Sequence, residues 1–104
     1  MLLSEVINIA TEAIQKKLVV EVDYTRKEDG ILTCRIMEPF DVAARSDSEI
    51  GENKLLGWCL FHNRIEQKPV ENITSMKITN MPFDPKIRES TLIALPKYQI
   101  PRNW

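Results

Sequence analysis

The chain has 104 residues, with 14 Lys and Arg against 15 Asp and Glu and a formal charge of −1. Hydrophobic residues make up 43% and charged residues 28%, the balance of one globular domain able to bury a core without staples. Charge this close to neutral argues against an electrostatic nucleic-acid clamp, which needs a surplus of Lys and Arg. The N-terminus carries Glu5, has no basic segment, and breaks its apolar residues with Asn8, Thr11, Glu12 and Gln15. That is neither a signal peptide nor a membrane span, so the expected compartment is the cytoplasm, with no membrane partner.

Apolar residues at Leu3, Val6, Ile7, Ala10, Ala13 and Ile14 follow helical spacing and predict a helix over Leu3–Lys17. Ser4 is the expected N-cap, and Lys16 and Lys17 suit the negative end of the helix dipole. From Leu18 the period changes: Val20, Val22 and Tyr24 alternate with Glu21 and Asp23, which predicts a strand. Lys27-Glu28-Asp29-Gly30 reads as a turn, and Ile31–Met37 as the second strand of a hairpin. Pro39 ends or edges that strand because it cannot donate to a ladder, and Phe40–Ala44 continues extended.

The polar excursion Arg45–Asn53 is the expected flexible loop. Leu55–His62 is apolar on both faces, which predicts a strand covered on two sides. His62-Asn63-Arg64 suggests a tight turn, followed by strands at Ile65–Lys68 and Ile73–Thr79. The pattern is mainly β with an N-terminal helix (α+β), and points to a small SH3/Sm-like β-barrel capped by that helix. Residues 1–85 form the domain, and residues 86–104 a Pro-punctuated extension with a strand at Thr91–Leu95, ending in Trp104. This extension is expected to pack on its own domain or on a partner.

Four segments carry a family resemblance. Ala13, Lys16-Lys17 and Val20-Glu21-Val22-Asp23-Tyr24 come first, then Arg35-x-Met37-x-Pro39-x-x-Val42. Leu55-x-Gly57-x-Cys59 and Val70-Glu71-Asn72-Ile73 followed by Phe83 complete the series. In this order and spacing, over roughly residues 10 to 85, the chain resembles the WYL domain family. Asn53 and Lys54 stand where that family has its eponymous Trp and Tyr, and only Leu55 remains. Glu66 and Lys68 fall on its "R-x-F" pair, and Asn72 replaces its last basic residue.

The resemblance implies a regulatory module for a nucleotide-like or oligonucleotide ligand, with a protein partner such as a transcription regulator. Such domains are often joined to a helix-turn-helix, which is not expected within these 104 residues. In this reading Arg35 offers a bidentate fork to an anion, Arg64 a second charge, and Trp58 or Tyr24 an aromatic wall. The Arg45–Asn53 loop would gate access. The bland alternatives are an Arg35 paired with Glu38 or Asp41, and a Trp58 in the core or a subunit interface. Glu66 in an anion site would repel phosphate and weaken it.

Catalytic signals are poor: there is no GxSxG, HExxH, P-loop or Gly-rich phosphate turn, so neither enzyme nor cofactor is expected. Cys59 and His62, three apart on strand and turn, should point to opposite faces and form no nucleophile pair. With Cys34 they make three zinc ligands at most, too few for a structural site, so no metal is expected. Both cysteines lie in apolar runs and read as reduced core thiols rather than a disulfide. Asn72-Ile73-Thr74 matches a glycosylation acceptor by chance. The two-sided apolar strand, the lost pocket residues and the Trp-ended extension also support a module that self-associates or binds protein without a small ligand. A homo-oligomer is the corresponding expectation. Single-stranded nucleic-acid binding is a weaker third reading, against which the charge balance stands.

Overall fold

A computed structural model describes residues 1–43, 53–88, 90, 100, 101 and 104. Helix α1 spans Leu3–Lys16, and five strands follow: β1 Leu18–Thr25, β2 Leu32–Ala43, β3 Lys54–Cys59, β4 Arg64–Pro69 and β5 Ile73–Pro82. Short 3-10 turns at Val70–Asn72 and Pro85–Arg88 follow β4 and β5. The strands form one antiparallel sheet in the order β4-β3-β2-β1-β5. A closed barrel would need β4 to pair with β5, and among the described residues no such ladder exists. The fold is therefore α+β as expected, with an open sheet.

Val6, Ala10, Ala13 and Ile14 form the buried stripe of α1, and the two alanines let the helix sit close to the sheet. The N-cap is Leu2 rather than Ser4: the Glu5 carboxylate reaches back to accept the Leu2 N–H at 3.0 Å, leaving a hydroxyl unnecessary there. Lys17 ends the helix in the left-handed region (φ 56°), so the chain turns directly into β1. Against the stripe pack Val20, Val22, Met37, Val42, Leu55, Val70, Ile73 and Met76.

Strand β2 runs through Pro39 without ending. Its pairing with β1 stops at Met37, where pairing with β3 begins, so Pro39 faces a single neighbour, Gly57. A proline that needs no second partner is tolerated, and a bulge follows between Pro39 and Asp41. Gly57 has a steric reason: a Cβ there would lie 2.6 Å from the Glu38 carbonyl oxygen.

The outer face of β3 is covered, as its two-sided apolar pattern predicts. Trp58, Leu60 and Ile65 pack against a second cluster of Val19, Phe40 and Phe83. Trp104 stands edge-on to Phe40 and Phe83 and donates its indole N–H to the Ile14 carbonyl at 2.8 Å, a second bond on an oxygen that also accepts the Lys17 N–H at the end of α1. Ile100 is buried in the main core, and its N–H reaches Asp41 at 2.9 Å. The expected gating loop at Arg45–Asn53, apart from Asn53, lies outside the described residues, as does the expected strand at Thr91–Leu95. Among the described residues, no helix is long and apolar enough to cross a membrane.

Candidate functional site

Strand register decides which side chains share the helix-facing side of the sheet. Val20, Val22 and Tyr24 lie opposite Met37, Arg35 and Thr33, and Cys59 and Leu55 lie opposite Arg64 and Lys68. Near α1 this face is aliphatic. Beyond the helix the same strands carry Tyr24, Arg64, Glu66 and Lys68. Their contacts show how far the sheet curls. β1 and β4 are separated by two strands, or about 14 Å across a flat sheet. Even so, Lys68 Nζ donates to the Tyr24 hydroxyl at 2.9 Å and lies 4.1 Å from its ring centre.

The curl encloses a pocket of about 440 Å³. Its lining includes Tyr24, Arg26, His62, Arg64, Glu66 and Lys68, with Asn72 from the 3-10 turn on the rim. Glu66 is the hub. Its Oε1 forms an ion pair with Lys68 Nζ at 2.9 Å, and its Oε2 accepts Arg64 Nε–H at 3.0 Å and meets the His62 Nδ1 at 2.6 Å. Burial would raise the Glu66 pKa, but hydrogen bonds from Lys68, Arg64 and His62 and the Lys68 charge outweigh it and hold the carboxyl at about 2. At the outer rim Arg26 pairs with Asp29, and Lys27 lies 3.9 Å from Glu71. Cationic groups thus line the pocket, but carboxylates hold the innermost of them.

Of the four residues singled out from the sequence, Tyr24 and Arg64 meet in this pocket. Arg35 shares the face with Tyr24 but is not in the lining: its guanidinium sits 4.3 Å over the exposed Phe61 ring and donates to the Cys34 carbonyl at 2.8 Å. Glu38, the partner considered for it, is bound by Arg88 instead. Trp58 is half-buried on the opposite face, beneath the Arg88 guanidinium at 4.1 Å. The two expected walls, Tyr24 and Trp58, therefore belong to different sides of the sheet. Lys68 and Glu66 enter the sequence reading only as departures from the family pocket, and His62 only as a rejected partner of Cys59, yet all three line this pocket. The signal for two of them is the alternation Arg64, Glu66, Lys68, three polar side chains on the face that Cys59 and Leu55 turn inward.

Two expectations about the cysteines need correction. Cys34 is exposed, since Asp23, its β1 partner, belongs to the outer face. Hydrogen bonding to Asp23, burial and hydrogen bonding to Glu21 push its thiol up to about 12. Cys59 is in the core, but it does not point away from His62: the turn after β3, with Asn63 in the left-handed region (φ 53°), folds the ring back to 3.7 Å from Sγ. Both thiols are free, as expected.

No family model and no curated protein matches the chain. Among solved structures it is similar to proteasome accessory factor B/C (PafBC) of Arthrobacter aurescens, with a TM-score of 0.67 at 11% identity. The match covers 95% of this chain and 14% of that one. At this identity the likeness is one of fold.

Proposed function

We propose that this chain is a non-catalytic, ligand-sensing regulatory module whose pocket takes a small anionic, nucleotide-like ligand. The observation that carries this reading is the pocket of about 440 Å³ into which Arg64, Lys68 and His62 converge beside Tyr24. The similarity to PafBC, a regulatory protein, is consistent with it. Arg64 is the residue that can respond. Its side chain is 68% exposed and touches only one oxygen of Glu66, whereas Lys68 is held by both Glu66 and Tyr24. An incoming phosphate or carboxylate would draw Arg64 from Glu66 into a bidentate pair, at the cost of an approach to that carboxylate. Arg35 has no part in it.

A thermal-shift panel of mononucleotides and short oligonucleotides tests the proposal. A mononucleotide should raise the melting temperature of the wild type and of Arg35→Ala, and not of Arg64→Ala. If no member stabilises the wild type more than Arg64→Ala, the reading fails. Preference for oligonucleotides with steep salt dependence would favour a single-strand binder instead.

A protein-interaction module is the second reading. It is favoured by the exposed Ile31, Leu32, Ile36 and Phe61 at the far end of the β1–β2 hairpin and the adjacent turn. Light scattering across concentration distinguishes the two: a monomer at every concentration would remove self-association.

A further inference from the structure

Cys59, His62 and Glu66 each offer a donor atom, all within 4.8 Å of one another. A Cys–His–carboxylate relay would use both ring nitrogens, one facing the thiol and the other facing the acid. Here both contacts converge on Nδ1, with Cys59 Sγ at 3.7 Å and Glu66 Oε2 at 2.6 Å. Convergence on one point is useless for relaying a proton and is what a shared ion requires. We propose that Cys59, His62 and Glu66 form a transition-metal site of the zinc type, with its fourth position open toward the pocket. This inference does not depend on the anion reading.

The spacing suits such an ion. Tetrahedral zinc with ordinary bond lengths separates a thiolate sulfur from an imidazole nitrogen by about 3.6 Å, and that nitrogen from a carboxylate oxygen by about 3.4 Å. The Cys59–His62 pair is already at that distance. The His62–Glu66 pair, now closed on a hydrogen atom, must open by under about 1 Å, through rotation of a ring that is one-third exposed. Arg64 can leave Oε2 for solvent, while Lys68 keeps hold of Oε1 and fixes the carboxylate from behind, as outer-shell partners of metal ligands do. A thiolate and a carboxylate balance the charge of a divalent ion, and both ordered elements that supply them belong to one hairpin.

The second cluster of donors, Glu21, Asp23 and Cys34, is a poorer candidate. It lies on the outer face, has no imidazole, and its thiol keeps its proton.

The test uses the full chain, stripped with a chelator and titrated with Zn²⁺ by calorimetry and with Co²⁺ by absorption. The proposal expects one ion per chain and a sulfur-to-cobalt charge-transfer band. Cys59→Ser should abolish the band, and Cys34→Ser should leave it unchanged. His62→Ala, at a partly exposed position that leaves the core intact, should weaken Zn²⁺ binding at least about tenfold. Far-UV circular dichroism of the metal-free variants separates ligand loss from unfolding. The proposal is overturned by the absence of saturable binding, by equal affinity in His62→Ala, or by loss of the band in Cys34→Ser alone.

Discussion

The two ends of the helix-facing side of the sheet belong to one continuous sheet and do opposite things. Under α1, Val20, Val22, Met37 and Leu55 are fully buried in the apolar core. Two positions further along β1, Tyr24 faces the same way and, with Glu66 and Lys68 of β4, forms a polar network around a pocket. Alternation along each strand assigns the face. Coverage by the helix decides which part of that face is dry, and the uncovered part is where polar chemistry can persist with water as a partner.

Substitutions should separate the two ends. Leu55→Ala, under the helix, is expected to lose about 2–5 kcal/mol in denaturant unfolding, since it removes buried methyl groups and leaves a cavity. A loss under about 1 kcal/mol would mean that this end is not close-packed. At the polar end Glu66→Ala should cost less, about 1–3 kcal/mol, because it leaves Lys68 with Tyr24 alone.

That second effect depends on pH with a defined sign. Glu66 is held at about 2, below its ordinary 4.5, so the fold favours its ionised form. Its stabilisation is complete above pH 4.5 and is lost as pH falls from 4.5 toward 2. The stability gap between wild type and Glu66→Gln should therefore narrow over that window, and a gap independent of pH would exclude the ion-pair hub. Trp104→Phe keeps the aromatic contacts with Phe40 and Phe83 and removes the bond to Ile14, a loss of about 1 kcal/mol. The smallest effect on stability, and none on either end, is expected at Cys34. Its exposed thiol should react slowly with iodoacetamide near neutral pH, and Asp23→Asn should speed the reaction by removing the strongest of the contacts that raise its pKa.

Most of the architecture is legible from local pattern. The apolar spacing of Leu3 to Ile14 and the alternation from Val20 to Tyr24 each express one period, and the hairpin turn at Gly30 has the positive φ of 70° that its glycine permits. Ser4 misled because the neighbouring Glu5 carboxylate supplies what the cap rule demands, whereas Pro39 sits on a single-sided ladder, the edge position its missing N–H allows. The site was legible in half. Tyr24 and Arg64 could be named by type, but the Lys68–Tyr24 contact joins residues 44 apart through the curl of the sheet. No local pattern encodes that distance. The meeting of Cys59 with His62 was hidden by the left-handed Asn63, which breaks the strand periodicity from which opposite faces were inferred.

The central claim is that the uncovered end of the face is the binding surface. Amide chemical-shift mapping of the isotope-labelled chain, titrated with adenosine monophosphate, tests it most directly. Saturable shifts confined to Tyr24–Asp29, His62–Lys68 and Asn72 are the predicted result, and they should vanish in Arg64→Ala. Shifts centred on Trp58 and Arg88, or on Arg35 and Phe61, would contradict it.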